Sequence, residues 1–179
     1  IAFGYGVSVS AIQLITAVSA IANDGILMKP YLVQAITDQS GTPLKQFQPQ
    51  IVRRVLAKKT ARTVKAIMKT VTTKGGTGVN ASLDGYTVGG KTGTARKLDK
   101  SGTYSNNRHM ASFVGFTPAD NPKLAILVVI DEPKGKYYGG TVAAPVFRRI
   151  AREALNYLNI SPRSGVKRFA TSRRIGASG

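Results

Sequence analysis

Cysteine and tryptophan are absent from the 179 residues, histidine occurs once, and acidic residues number eight against 26 basic ones. Without cysteine there is no disulfide framework and no thiolate metal site. His109, the single histidine, leaves a His-based zinc centre or a Ser-His-Asp triad implausible within one chain, and a structural role is its expected one. No apolar run is long enough to span a bilayer. The best, residues 11–22, is short and is interrupted by Gln13, Thr16 and Ser19. The shortage of carboxylates leaves a net charge of +18. Such a surface favours a polyanionic neighbour, whether nucleic acid, anionic lipid or an anionic wall polymer, without choosing among them.

What is present centres on Gly85-Tyr86-Thr87-Val88-Gly89-Gly90-Lys91-Thr92-Gly93-Thr94-Ala95. Glycines let another backbone or a ligand approach closely, Lys91 adds a cation, and Thr92 and Thr94 add hydroxyls. That set suits an anionic or carbonyl-bearing substrate. Two motifs share these letters. Residues 85–92 spell the P-loop pattern G-x-x-x-x-G-K-T, and Lys91-Thr92-Gly93 spells K-T-G. A P-loop needs an apolar strand before it and a helix after it, because the helix N-terminus helps hold the phosphates. Residues 78–84 read as a turn and residues 93–107 carry no helical period, so the nucleotide-binding reading fails on both flanks. K-T-G instead wants Lys91 on a strand, and residues 86–95 supply one. Alternation turns Lys91 and Gly93 one way and Thr92 and Thr94 the other. A ligand using both sets must therefore lie along the strand's edge, where an extended peptide can add as a further strand.

The rest of the chain predicts an α/β domain of the α+β type, an antiparallel sheet flanked by helices. Ser8 or Ser10 caps a helix running to about Asn23, and its nearly unbroken small and apolar residues call for burial on most sides. Residues 31–37 and 44–47 form a hairpin around Ser40-Gly41. Residues 58–74 form a second helix, with Lys58, Arg62, Lys65 and Lys69 on a solvated face. A polar loop follows over 97–107. Residues 108–116 and 123–130 are strands, and their short link makes them antiparallel, with the K-T-G strand first. Asp131 and Glu132 are neighbours at a strand end, point apart and serve solvation. Residues 142–158 form a third helix on the sheet. The core domain is expected over 1–160, and residues 161–179 form a basic tail with almost nothing to bury.

The ordered set is Phe3-Gly4-Tyr5-Gly6-Val7-Ser8-Val9-Ser10, Gly75-Gly76-Thr77-Gly78, Gly90-Lys91-Thr92-Gly93-Thr94-Ala95, residues 111–118 (ASFVGFTP), Ile130-Asp131-Glu132-Pro133, Tyr137-Tyr138-Gly139-Gly140 and Ala143-Ala144-Pro145-Val146-Phe147. In that order it resembles the C-terminal half of the transpeptidase domain of class B penicillin-binding proteins, over residues 1 to about 162. Tyr-Tyr-Gly-Gly with Ala-Ala-Pro-Val-Phe is most similar to the division-septum type. The resemblance implies a penicillin-recognising fold and a serine-type D,D-transpeptidase that cross-links peptidoglycan stem peptides. In such enzymes a serine attacks D-Ala-D-Ala, D-Ala leaves, and a second stem's amine takes the acyl group; β-lactams mimic the donor. By motif, Lys91 aids proton movement and electrostatics across the cleft. Thr92 and Thr94 bind the substrate carboxylate. The Thr94 backbone N–H gives half of an oxyanion hole, a donor type whose loss costs about 3 kcal/mol. Gly93 keeps the strand edge clear, and Tyr137 and Tyr138 lie near the cleft's rim. No cofactor or metal is implied. Implied partners are stem peptides, β-lactams and membrane-bound cell-wall synthesis and division proteins, with no nucleic acid. The implied location is the bacterial inner membrane, single-pass, with the catalytic domain in the periplasm or outside the cytoplasmic membrane.

The family pattern also places an S-x-x-K nucleophile motif and an S-x-N before K-T-G, and neither stands before Lys91. Ser164-Gly165-Val166-Lys167 and Ser105-Asn106-Asn107 match the letters but follow Lys91, and both read as chance. The chain is thus expected to be a fragment, inactive alone, with its nucleophile and its membrane anchor upstream of Ile1. A non-catalytic scaffold or sensor of the same fold is the alternative. A nucleic-acid binder is disfavoured because most of the Phe and Tyr residues fall in apolar or glycine-loop settings.

Overall fold

The computed structural model describes residues 7–99 and 101–163. Its first helix, α1 (Ala11–Ala22), is set by a capping box. The Ser10 side chain accepts from the Gln13 N–H at 3.3 Å, and the Gln13 side chain accepts from the Ser10 N–H at 2.8 Å. This satisfies two donors that a helix start would otherwise leave open. Beyond α1 the chain reverses through Gly25, at φ +86°, into β1 (Ile26–Met28). The hairpin β2 (Ala35–Thr37) and β3 (Pro43–Gln46) follows, its turn held by the Asp38 carboxylate accepting from the Ser40 and Thr42 N–H groups, both at 2.9 Å. Strand β4 (Ile51–Arg54) then pairs antiparallel with β1. The β1–β4 pair was not expected, because both partners are too short for an alternating pattern and lie far apart in sequence.

Helix α2 (Lys58–Thr70) stops four residues before its expected end at Lys74. The Thr70 and Thr73 hydroxyls donate to carbonyls three residues back, both at 2.8 Å, and the Thr72 hydroxyl leaves the helix to donate to the Val88 carbonyl at 2.8 Å. β-Branched hydroxyl residues favour such local bonds over helix continuation. The basic face is not simply solvated. Lys65, with a side chain 13% exposed, reaches Asp24 at 2.6 Å, and Lys69 reaches Asp120 at 2.6 Å. Three of its four cations are paired, Lys58 more loosely with Asp24 at 3.6 Å, and they tie α2 to the turn after α1 and to Asp120.

After a 3₁₀ turn at Val79–Ala81 comes the central sheet: β5 (Gly89–Leu98), β6 (Tyr104–Thr117) and β7 (Leu124–Asp131), antiparallel in that order. Strand β5 starts three residues later than the sequence suggests. Tyr86 is buried and donates to the Ile160 carbonyl at 2.8 Å, while Thr87 serves the 117–120 turn, accepting from the Ala119 N–H and the Thr117 hydroxyl. The expected polar loop is mostly strand: β5 and β6 continue as a ribbon past Arg96 to a turn at residues 99–103. A two-stranded ribbon open to water needs no apolar period, so the sequence does not announce it. The third helix is divided into a single turn, α3 (Gly139–Val142), and α4 (Ala144–Tyr157), with Pro145 in the first turn of α4, where its missing N–H costs nothing.

From Ala111 onward strand β6 is apolar on both faces because each meets a helix layer. Phe113 packs with Val88, Val128, Phe147 and Leu155 on the α4 side, its ring edge-on to Phe147 at 4.8 Å. Phe116 and Val114 pack with Val18 and Ala119, and with Leu14, Ile15 and Met68, on the α1 and α2 side. Among the described residues strand β5 has one sheet neighbour, which leaves its other edge free. The burial expected of α1 is only partly met. Val18 and Ala20 are buried, but Ile12 is 58% exposed. A groove of about 510 Å³ runs beside it, lined by Ile12, Ile15, Ala20, Ile26 and Met28 among others. An apolar helix needs cover on two sides, and the sheet supplies one.

Candidate functional site

The site forms where β5 passes Gly90 to Ala95. Pairing Lys91 with Val114, Thr92 with Phe113, Gly93 with Ser112 and Thr94 with Ala111 fixes which residues share a face. Thr92 and Thr94 stand on the face that carries Phe113 and α4; Lys91 and Gly93 stand on the other. Lys91 is exposed at the sheet edge, its ammonium donating to the Thr92 carbonyl at 2.8 Å. At Gly93 a Cβ would run into the Ser112 hydroxyl across the ladder. The missing side chain is thus first a packing requirement of the β5–β6 pair.

On the threonine face three hydroxyls gather with the 137–140 loop. Thr92 donates to the Thr77 hydroxyl at 3.0 Å, and Thr94 accepts from the Gly139 N–H at 3.1 Å. Gly139 is buried with the Ser112 and Gly93 carbonyl oxygens where a Cβ would stand, so only glycine lets α3 start this close to the sheet. The Asn80 amide donates to the Gly140 carbonyl at 2.8 Å and fixes the loop from the side of the 3₁₀ turn. In the sequence Thr77 stands within Gly75-Gly76-Thr77-Gly78, where no motif assigns it a role. A lone threonine in a glycine-rich turn carries no signal until folding sets it beside Thr92.

Tyr137 and Tyr138 continue the loop outward. Their rings lie 4.6 Å apart, and the Tyr137 hydroxyl donates to that of Tyr138 at 3.4 Å. That bond pushes the Tyr137 phenol above its ordinary value. His109, for which the sequence predicts a structural role, is half-buried. It stacks on Tyr137, with centroids 4.1 Å apart and 15° between the planes. Tyr138 is 60% exposed and forms the outer lip.

The neighbouring end of the β5–β6 ribbon carries an ion cluster. Lys97 donates to Asp131 at 2.9 Å and to Glu132 at 2.7 Å; Arg108 donates from Nε to Glu132 at 2.9 Å and pairs with Asp99 at 3.3 Å. Asp131 and Glu132 therefore do not point apart. Glu132 leaves the strand at φ +48°, and this turn brings its carboxylate to the cation Asp131 already holds. Lys97, then Arg108, hold the Glu132 carboxyl below its ordinary value of 4.5, and Glu132, then Asp131, hold Lys97 above 10.5. Both carboxylates are spoken for, so neither is a free acid or base.

Ser105 of the Ser105-Asn106-Asn107 match lies on β6, not in a loop. It is buried, accepts weakly from the Asn107 and Arg108 N–H groups at 3.3 Å, and sits near the ribbon turn, away from Lys91. Phe3 to Gly6 and the Ser164 to Lys167 match lie outside the described residues, as does the basic tail from residue 164. Before it, Arg163 is held by the Gly85 carbonyl at 2.9 Å and by an ion pair with Asp120.

The family model of the penicillin binding protein transpeptidase domain matches residues 1–152. Stage V sporulation protein D of Bacillus subtilis is 44% identical over 90% of this chain and 25% of its own length. Peptidoglycan D,D-transpeptidase FtsI of Escherichia coli K12 is 40% identical over 89% of this chain and 25% of its own. The chain thus spans about a quarter of these curated relatives. Among solved structures, the transpeptidase domain of Burkholderia pseudomallei penicillin-binding protein 3 superposes with a TM-score of 0.75 at 41% identity, covering 89% of this chain and 45% of that one. Penicillin-binding protein 3 of the tubercle bacillus, complexed with ampicillin, superposes at 0.78 with 30% identity, covering 94% and 40%.

Proposed function

The chain belongs to the penicillin-binding-protein transpeptidase family, and on that premise we propose that it is the K-T-G half of a peptidoglycan D,D-transpeptidase active site. One observation carries the reading: a free strand edge along which Lys91, Thr92 and Thr94 converge, backed by Thr77 and by a loop seated on Thr94. An extended peptide ending in D-Ala-D-Ala pairs its backbone with the open β5 edge. Its terminal carboxylate meets the Thr92 and Thr94 hydroxyls and the field of Lys91. Thr92 donates its proton to Thr77 when no substrate is present; turned to the carboxylate, it donates there, and Thr77 returns a hydrogen bond. The Thr94 N–H stabilises the oxyanion as the serine attacks, and Lys91 lowers the cost of moving the serine proton. The acyl group passes to serine and D-Ala departs with the serine proton; a second stem's amine then takes the acyl group, and one of its protons returns to the serine oxygen.

The serine and its base belong to the whole protein. A serine without an adjacent base is a poor nucleophile, and no S-x-x-K precedes Lys91 here. β-Lactams take the donor's place, a reading supported by the ampicillin complex of the mycobacterial relative. We place the whole protein in septal wall synthesis, held by a single-pass inner-membrane anchor with this domain outside the cytoplasm and acting with other membrane-bound wall enzymes. The Tyr-Tyr-Gly-Gly loop and the likeness to FtsI support the septal part of that assignment.

The test is intact mass of the whole protein after incubation with a penicillin. One covalent adduct is expected, and its rate falls at least about a hundredfold in Lys91→Ala, the scale of a lost acid–base or electrostatic group. No adduct on a folded parent protein would leave a scaffold or sensor in place of an enzyme.

A further inference from the structure

Glu132 is a residue with a Cβ held in the left-handed region at φ +48°, immediately after β7. A non-glycine residue there is strained, and it persists only where surrounding contacts over-determine it. Three do so. Its N–H donates to the His109 carbonyl at 2.9 Å, and its carboxylate takes Lys97 at 2.7 Å and Arg108 at 2.9 Å. All three partners lie on the β5–β6 ribbon. Arg108 and His109 are neighbours on a strand, so their side chains leave opposite faces. Glu132 grips the first by its guanidinium and the second by its carbonyl. On the other face the His109 ring carries Tyr137, Tyr137 carries Tyr138, and the next residue, Gly139, donates to Thr94.

We propose that Glu132 is a positioning residue for the reaction: through Arg108 and the His109 backbone it sets the height of the Tyr137–Tyr138 lip over Thr94, and so the affinity for the donor. The inference rests on the function proposed above. An isolated surface ion pair does little, but here two cations and three carboxylates share one network, with the Lys97 side chain 24% exposed. The coupling path is short and continuous: one backbone hydrogen bond, one ring stack, one step along the chain.

The experiment uses the whole protein with Glu132→Gly, Tyr137→Ala and the double variant. Glycine accepts the left-handed backbone, so Glu132→Gly removes the carboxylate without adding strain. Acylation by a penicillin is expected to show a dissociation term about fivefold weaker with the limiting acylation rate unchanged. The same substitution in the Tyr137→Ala background is expected to cost nothing further. Hydrogen exchange over residues 137–140 is expected to quicken about fivefold in Glu132→Gly, with the sheet core unchanged. Unchanged affinity, a loss confined to the limiting rate, or additive losses in the double variant would overturn the proposal. A parent protein that forms no adduct refutes the transpeptidase reading instead. Exchange over 137–140 still decides the positioning claim in that case, and an unaltered profile there would sink it alone.

Discussion

Thr92 shows how little a single side chain says before folding. In the sequence it is the middle letter of K-T-G; in the structure its proton already rests on Thr77, so the unliganded site keeps a hydrogen-bond partner where the substrate carboxylate would bind. Replacing Thr77 by valine keeps the shape and removes that partner. On the proposed function, penicillin acylation is expected to slow about tenfold, the scale of one hydrogen bond to a charged group, while thermal stability barely moves. Second-order acylation rates and a melting curve on the same sample check this. A large drop in melting temperature would mean that Thr77 holds the 75–78 turn and not the carboxylate.

At the scale of elements, Phe147 joins α4 to the sheet. It is fully buried and edge-on to Phe113, so Phe147→Ala is expected to cost about 3–5 kcal/mol, read as a shifted denaturation midpoint at constant slope. The ion cluster at the ribbon end acts by pH. The depressed Glu132 carboxyl contributes stability above its ordinary value of 4.5 and loses it as pH falls through its lower folded value; the raised Lys97 contributes below 10.5 and loses it as pH climbs further. Melting temperature is expected to sag below about pH 4.5, and Glu132→Gln is expected to flatten that limb. The elements legible in the sequence are those that bury a patterned face. The capped α1, the hairpin around Ser40-Gly41, the two-faced β6 and the antiparallel order with the K-T-G strand first all follow from periodicity and short links. Those that were missed depend on distant partners or lack a pattern: β4 finds β1 across the chain, the ribbon beyond Arg96 lies open to water with no apolar alternation, and Glu132 joins Asp131 through a backbone turn no letter marks. The site divides the same way, K-T-G and the tyrosines being visible as motifs while Thr77 and His109 enter through contacts.

For the molecule as a whole, the helix layers do not close. Ile12, which lines the α1 groove, and Val7 and Val9 just before that helix are more than half exposed, and Leu32 and Leu44 stand out on the β2–β3 side. Exposed apolar area of this kind marks a surface built to be covered. The 179-residue chain alone is expected to bind an apolar dye strongly, and Ile12→Lys to reduce that binding without unfolding the sheet; equal dye binding by the variant would place the sticky surface elsewhere.

The open edge of β5 has a further consequence, for one copy of the protein meeting another. An unpaired strand that accepts a peptide also accepts itself. Two β5 edges brought together would set the Lys91 and Arg96 of each copy against those of the other, while glycines at 89, 90 and 93 leave few side chains to interlock. On the proposed function, the lysine that attracts a carboxylate would also repel its own twin across such an edge-to-edge pair.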